Sequence, residues 1–350
     1  MVGDISVTTH YKAATTMGVM GGIDLKRAVT GKPPQHMQNV LLLNTGEGHF
    51  REGARLFGVS STDWTWAVKF GDFDNDGWLD IYCTNGISRH MNDSDKMVTM
   101  DMLRGKHMFD FFKEGPMRTE MNRAFRNTRG PKFEDVSAAW GLDHVGVTYG
   151  AAYADLDRDG DLDMVTVNLE EPNFVCRNDA PGGQRVLLKL AGHGANKFAI
   201  GATVTIRTAS GAQTRQMEPQ TGYLSCNEPL IHFGLGKDAV IDELTVRWPG
   251  AGEQKFKGLK AGMFYTIAQP ADGGGPVTPA PAVVALFAKS EVLSTLKNKD
   301  AGRDIDFQKQ PLLPFALSQL GPVLAWGDVN GDGLDDFYIG AARGKSGKCA

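Results

Sequence analysis

Three short acidic stretches have a composition suited to binding a metal ion. They read DFDNDGWLD at 72–80, DLDRDGDLD at 155–163 and DVNGDGLDD at 328–336, and we refer to them as loops 1, 2 and 3. Each fits the pattern D-x-[DN]-x-D-G-x-x-D. Hard dications such as Ca²⁺ bind six to eight oxygens, and alternating acidic positions on a turning backbone direct several carboxylates to one centre. The pattern therefore predicts three calcium sites.

The predicted ligands are side-chain oxygens at the first, third, fifth and ninth loop positions and a backbone carbonyl at the seventh. In loop 1 they are Asp72, Asp74, Asp76 and Asp80, with the carbonyl of Trp78. In loop 2 they are Asp155, Asp157, Asp159 and Asp163, with the carbonyl of Asp161. In loop 3 they are Asp328, Asn330, Asp332 and Asp336, with the carbonyl of Leu334. Glycine at the sixth position takes the sharp turn, because it adopts positive φ without steric cost.

Two other interpretations of these loops are possible. An EF-hand shares the D-x-D-x-D-G beginning, but it needs an acid at the twelfth position and a helix on each side. Here the twelfth positions are Cys83, Thr166 and Ile339, and the flanking residues favour strands. The sequence therefore disfavours an EF-hand. A solvated acidic turn without a metal remains the alternative.

The first two loops belong to a longer internal repeat. The stretch beginning NTGEGHF at Asn44 resembles the stretch beginning NTRGPKF at Asn127. Asn44 precedes Asp72 by 28 residues, and Asn127 precedes Asp155 by the same 28 residues. An identical spacing in two copies indicates a repeated structural unit.

The residues around each loop predict the elements that position it. WAVKFG, YGAAYA and VLAWG precede loops 1, 2 and 3, and IYCTN, MVTVN and FYIGAA follow them. Short β-type runs joined by glycine-containing turns are typical of antiparallel strands. Repeated units of this kind favour the blades of a β-propeller.

Residues 186–269 also have a β-type pattern. In ELTVRW, the apolar Leu244, Val246 and Trp248 alternate with polar residues, which predicts a strand with one buried face. TVTIR at 203–207 alternates in the same way, and glycines punctuate the segment as turns. The pattern predicts a small β-sandwich or barrel.

These motifs resemble a known combination of domains. The acidic loops and their flanks resemble the FG-GAP, or VCBS, repeats of integrin α-type propellers, and residues 61–95 resemble the cartilage acidic protein-like family in particular. The motifs AIGATVTIR, GYLS, IHFGLG and DELTVRWPG appear in the order found in an ASPIC and UnbV domain. The resemblance implies calcium-binding blades followed by that domain.

The predicted fold is all-β, with partial FG-GAP/VCBS blades and a β-sandwich or barrel of the ASPIC/UnbV type. The predicted domains are blades at 1–182, the ASPIC/UnbV domain at 183–269, a Pro/Gly linker at 270–285 and a further repeat region at 286–350. A Met-rich insertion at about 86–125 predicts short helices, either packed on the blades or binding a partner. A propeller closes with roughly four to eight blades. Because only three loops are visible, we interpret the chain as part of a longer protein.

Composition argues against nucleic acid as a partner and against a membrane-spanning segment. Loops 1, 2 and 3 hold 13 of the 41 acidic residues, and the rest of the chain has no basic stripe with interleaved aromatics, so nucleic acid is not expected. The longest apolar runs, such as VVALFA at 283–288, are too short to span a membrane. No signal peptide is visible, and the four cysteines form no CxxC pair.

No catalytic motif is recognisable, since HExxH, G-x-S-x-G and the P-loop are all missing. His232 in IHFGLG is interpreted as structural. We therefore expect a secreted or surface-displayed module that binds calcium and a protein or glycan ligand at a cell surface or matrix, without catalysis. The alternatives are a polysaccharide-degrading enzyme and a carbohydrate-binding module built on the same calcium-loop propeller.

Overall fold

The computed structural model describes residues 1–16, 37–89, 115–179, 182–271, 324–327, 330–331, 336–339 and 348–349. The chain divides into two compact units, Met1–Thr278 and Pro279–Ala350. Among the described residues the one helix is α1, His10–Thr16, and all other regular elements are strands. The all-β prediction is therefore confirmed. No helix in the described part of the chain is long and apolar enough to cross a bilayer.

The first part of the Met1–Thr278 unit consists of short antiparallel strands. They are β1 Ile5–Ser6, β2 Leu42–Asn44, β3 Phe50–Glu52, β4 Asp63–Gly71, β5 Asp80–Asn85, β6 Glu120–Met121, β7 Arg123–Asn127 and β8 Phe133–Asp135. Strands β4, β5, β7 and β8 form an antiparallel sheet, to which β1 adds a fifth strand beside β4. Four neighbouring antiparallel strands are the unit of a propeller blade.

A second blade-like sheet follows. Its strands are β10 Thr148–Ala154, β11 Asp163–Asn168 and β12 Phe174–Cys176, and the short β9 Val145–Gly146 that precedes it pairs with β6. Tyr82 from the first sheet and Ala151 and Met164 from the second belong to one cluster of buried apolar side chains. The two sheets therefore pack side by side through a shared core, as successive blades do.

Each acidic loop connects two antiparallel strands with the same register. Gly71 of β4 pairs with Asp80 of β5, and Ala154 of β10 pairs with Asp163 of β11. In the Pro279–Ala350 unit, β20 Leu324–Gly327 and β21 Asp336–Ile339 flank loop 3, and β22 Lys348–Cys349 completes that sheet. Strands therefore flank all three loops, as predicted, in place of the helices of an EF-hand.

A network of hydrogen bonds connects successive repeats. It runs through polar side chains, and one of its bonds is donated by a backbone N–H. Nearly all of these side chains are buried, and consecutive members lie 2.6–2.9 Å apart. The members are Asn39, Thr62, Thr65, Asn85, Asn122, Thr148 and Asn168. Buried polar groups are costly unless they are hydrogen-bonded, so this hydrogen-bond network fixes the register of one repeat against the next.

Residues 182–271 form a β-sandwich. One sheet has the order β16-β13-β19, and the other has the order β15-β14-β17-β18. The strands are β13 Gln184–Ala191, β14 Thr203–Thr208, β15 Gly211–Gln216, β16 Ile231–Gly236, β17 Val240–Arg247, β18 Glu253–Lys260 and β19 Met263–Ala268. Leu244, Val246 and Trp248 lie in the core between the sheets, as their alternation predicted. The parallel pairing of β13 with β19 has no counterpart in the sequence prediction.

Parts of the predicted domain layout lie outside the described residues. Residues 90–114, which carry the predicted helices of the insertion, are among them, as is most of the linker at 270–285. The described end of the insertion is β-structure, because Ile87 bridges to Arg118 and the strands β6 and β7 follow.

Candidate metal centre

Loop 1 folds so that three of its predicted ligands converge. Carboxylate oxygens of Asp72, Asp74 and Asp80 lie within 4.8 Å of one another. The backbone turns through positive φ at Asn75 and Gly77, and the Asp72 carboxylate accepts hydrogen bonds from the N–H of Asp76, at 3.0 Å, and from the N–H of Gly77. The donor set is oxygen only, which suits Ca²⁺.

Asp76 lies beside this group of three and not within it. Its Oδ1 accepts the N–H of Trp78 at 2.9 Å, and its Oδ2 lies 3.8 Å from the Arg129 guanidinium. The guanidinium of Arg129 also stacks over the Trp78 ring, 5.4 Å from its centroid. Part of the predicted ligand set therefore fastens the turn itself.

Loop 2 brings together a different three of its predicted ligands. Carboxylate oxygens of Asp155, Asp157 and Asp159 lie within 4.8 Å of one another. Oδ1 of Asp155 is a buried oxygen without a hydrogen-bond partner among the described residues. A buried acceptor beside two further carboxylates fits a cation, because a cation would satisfy the oxygen and reduce the repulsion.

The ninth-position aspartates anchor both loops to the next strand. Asp80 accepts the N–H of Phe73 at 3.0 Å and the N–H of Asn127 at 2.8 Å. Asp163 accepts the N–H of Leu156 and the N–H of Asn178 at the equivalent 2.8 Å distances. In loop 2 this aspartate lies outside the converging group, whereas in loop 1 it belongs to it.

Burial changes the protonation of loop 1. Desolvation raises the pKa of Asp72 to about 7, and the neighbouring Asp76 carboxylate adds to the rise. Desolvation likewise raises the pKa of Asp80 to about 8. Such an environment opposes two carboxylate charges, and a dication at the centre of the group would supply the compensating charge.

The sandwich domain covers loop 1. The N–H of Gly236 in β16 donates to the carbonyl of Asn75 at 2.8 Å. A Cβ atom at Gly234 would lie 2.1 Å from Oδ2 of Asp72, so only glycine allows the strand to approach this closely. The motif IHFGLG therefore has a role that its sequence did not reveal: its glycines seat the strand on the acidic loop.

Loops 1 and 2 are also joined directly. Nδ2 of Asn75 donates to Oδ1 of Asp161 at 2.7 Å, and Nε of Arg185 lies 2.8 Å from the same oxygen. Arg185 belongs to β13 of the sandwich domain. One carboxylate thus links both loops to the second domain. The role of the Asp161 carbonyl as a metal ligand stays a prediction.

The sequence did not predict the arginine side chain that lies beside loop 1. Nε of Arg126 lies 2.7 Å from Oδ2 of Asp74, and the Asp74 carboxylate raises the pKa of this arginine. Arg177 precedes Asn178 as Arg126 precedes Asn127, but its guanidinium pairs with Asp179 instead, at 2.8 Å. The signal that could have found these arginines is the shared Arg-Asn pair in AFRNT and VCRND.

Of loop 3, the structure describes Asn330, Gly331 and the final Asp336, with positive φ at Gly331. Asp328, Asp332 and Leu334 lie outside the described residues. The assignment of all five ligands in loop 3 therefore stays a prediction from the sequence.

The buried histidine and the cysteine thiols of the described chain lie outside the acidic loops, and burial shifts the pKa values of His232 and Cys83. His232 is buried, and desolvation lowers its pKa to about 3, which keeps the ring neutral. Cys83, Cys176 and Cys226 are free thiols, and burial raises the pKa of the Cys83 thiol to about 12. A thiol held protonated in this way is a poor nucleophile.

Comparisons with family models agree with the motifs. The model described as FG-GAP-like repeat matches residues 29–83, and the model described as FG-GAP repeat matches residues 320–348. The model described as ASPIC and UnbV matches residues 192–273. The chain therefore carries FG-GAP repeats and an ASPIC and UnbV domain, which confirms the resemblance seen in the sequence.

Curated relatives carry one name. The chain is 28% identical over 280 residues to cartilage acidic protein 1 from Homo sapiens, a match that covers 69% of this chain and 42% of that protein. It is 29% identical over 249 residues to cartilage acidic protein 1 from Xenopus tropicalis, covering 60% of this chain and 38% of that protein. The chain thus matches about two fifths of the length of these relatives.

Proposed function

We propose that this chain is part of an extracellular calcium-binding protein, in which metal-stabilised blades and an ASPIC and UnbV domain form a non-catalytic interaction module. The observation that carries the proposal is the convergence of three carboxylates in each of loops 1 and 2. The relatives' name, which refers to cartilage, supports a matrix or cell-surface location. Extracellular modules bind Ca²⁺ with dissociation constants of about 10⁻⁴–10⁻³ M, which suits that location.

In the proposed sites, the carboxylates of both convergent groups supply oxygen ligands. The carbonyls of Trp78 and Asp161 complete them, and loop 3 forms a third site with Asp328, Asn330 and the rest of its predicted set. Bound Ca²⁺ holds each turn between its two strands and neutralises carboxylates that otherwise repel one another.

The proposed domain boundaries follow the sequence prediction. Blades occupy 1–182, the ASPIC and UnbV domain 183–269 and a further repeat region 286–350, joined by the linker at 270–285. The family-model match at 192–273 and the sandwich strands β13–β19 support the second domain. The proposed partner of the module is a protein or glycan ligand at a cell surface or in the matrix.

Thermal unfolding of the purified chain tests this proposal. We expect the melting temperature to rise in millimolar Ca²⁺ relative to a chelated sample, and to respond much less to Mg²⁺. A ligand at a hundred times its dissociation constant stabilises the native state by about 2.7 kcal/mol per site. Equal melting temperatures with and without Ca²⁺ would show that the loops are acidic turns without a structural metal.

A further inference from the structure

An open groove borders loop 2. It has a volume of about 1060 Å³. Arg158 and Asp159 of loop 2 line one side, and Lys189 of β13 and Phe264 of β19 line the other. Its size is in the range of small-ligand sites.

The groove exists because loops 1 and 2 cover only part of the β16-β13-β19 sheet. Loop 1 lies against β16 at Gly234, while β19 is, among the described strands, the edge strand on the opposite side of β13. Leu187 of β13 pairs with His232 on the covered side and with Phe264 on the open side. Phe264 is 51% exposed, and Phe198, which also lines the groove, is 49% exposed. Half-exposed aromatic rings in a concave site favour a ligand with an apolar face.

The charges in the groove are balanced. Among the described residues, three acids and three bases line it, namely Asp155, Asp159, Glu228, Arg158, Arg185 and Lys189. The two charges of the calcium ion proposed for loop 2 are offset by Asp157 and Asp163 of the same loop, so the balance holds with the ion bound and gives little advantage to a strongly acidic or strongly basic ligand. Interspersed donors and acceptors suit hydroxyl groups, because each hydroxyl can donate one hydrogen bond and accept others.

We propose that this groove binds a short neutral oligosaccharide, with Phe264 against the apolar face of a sugar ring and with Arg158, Asp159 and Lys189 bonded to its hydroxyls. This inference rests on the proposed function, since calcium in loop 2 fixes Arg158 and Asp159 in the wall of the groove. It gives the interaction module a ligand class and a location for that ligand.

Calorimetric titration of the full chain in saturating Ca²⁺ tests the inference. The probes are maltotriose, cellotriose, mannotriose and N,N′,N″-triacetylchitotriose, with trigalacturonate as the acidic comparison. We expect at least one neutral trisaccharide to bind in the millimolar range or tighter. Phe264→Ala should weaken that binding about tenfold, as loss of an aromatic contact worth about 1.4 kcal/mol would.

Phe50→Ala is the matched control, because Phe50 is a 64% exposed aromatic on β3 and does not line the groove. It should leave the titration unchanged, and Phe264→Ala should keep the wild-type melting temperature. The inference is overturned if no neutral trisaccharide binds, if Phe264→Ala binds as the wild type does, or if trigalacturonate binds more tightly than every neutral probe. A Ca²⁺-dependent melting temperature without sugar binding would refute this inference and leave the proposed function standing.

Discussion

Loops 1 and 2 carry aspartates at the same four positions, yet their surroundings differ. Loop 1 lies beneath β16 of the second domain, and its Asp72 and Asp80 are almost fully buried. Loop 2 borders the groove, and its Asp157 and Asp159 are exposed.

A local metal-binding pattern therefore does not determine the role of the site. The pattern sets the turn and the converging carboxylates, whereas tertiary packing sets how strongly the charges are desolvated. We therefore expect loop 1 to act as a structural clasp between domains and loop 2 to order the wall of an accessible groove.

The pH dependence of the chelated protein gives the largest expected effect. The folded pKa of Asp72 is about 7, against an ordinary value of 3.8, so its proton stabilises the folded state below pH 4. This contribution, on the order of 4 kcal/mol, is lost as pH rises through 7. Urea unfolding in EDTA from pH 4 to 8 should show it, and Asp72→Asn should make the decline shallower, leaving the part due to Asp80, whose pKa burial raises to about 8. Stability that rises over this range would contradict the burial of loop 1.

The substitution Gly234→Ala should cause the next largest loss of stability. The added Cβ would meet Oδ2 of Asp72 at 2.1 Å and the Asn75 backbone at 2.7 Å, so β16 must move off loop 1. We expect a loss of about 3 kcal/mol in the free energy of unfolding. Gly130→Ala is the matched control, since its nearest neighbour is a side-chain oxygen of Thr128 at 3.1 Å. Similar losses in both variants would refute the clasp.

Removing one ligand from each loop should separate their calcium responses. Asp72→Asn should abolish roughly 2.7 kcal/mol of stabilisation at a calcium concentration a hundred times the site's dissociation constant. Asp155→Asn should abolish less at the same concentration, because the exposed carboxylates of loop 2 are less desolvated and gain less from the ion. Chemical unfolding with and without Ca²⁺ measures both, and a larger loss for Asp155→Asn would reverse the comparison.

The smallest effect concerns the arginine beside loop 1. Arg126→Gln removes the cation that lies 2.7 Å from Asp74, and we expect a loss of about 0.5 kcal/mol in EDTA. Arg177→Gln should leave stability unchanged, because that guanidinium pairs with the exposed Asp179. Equal unfolding midpoints for both variants would show that Arg126 does not stabilise loop 1.

Much of the fold was predictable because each repeat has a local pattern of alternating apolar residues. The flanking strands of each loop and the buried alternation of Leu244 and Val246 follow from period-two hydrophobicity. The buried hydrogen-bond network of asparagines and threonines was not predicted, although Asn39 precedes Asn44 by five residues as Asn122 precedes Asn127. Its members are far apart in sequence and meet only through pairing between repeats.

The candidate site was predictable in its ligands and not in its environment. Convergence of Asp72 and Asp74 follows from a short turn, but the approach of Gly234 across more than 150 residues depends on how two domains pack. The groove beside loop 2 has the same origin, since Phe264 and Arg158 come from different domains.

Hydrogen–deuterium exchange of the intact chain, in EDTA and in saturating Ca²⁺, measures whether loop 1 holds β16 of the second domain in place. We expect calcium to protect residues 72–80 and β16, Ile231–Gly236, together, because loop 1 contacts that strand. Protection of residues 72–80 without any change in β16, or equal exchange of both segments in the two conditions, would contradict the claim that loop 1 clasps the second domain.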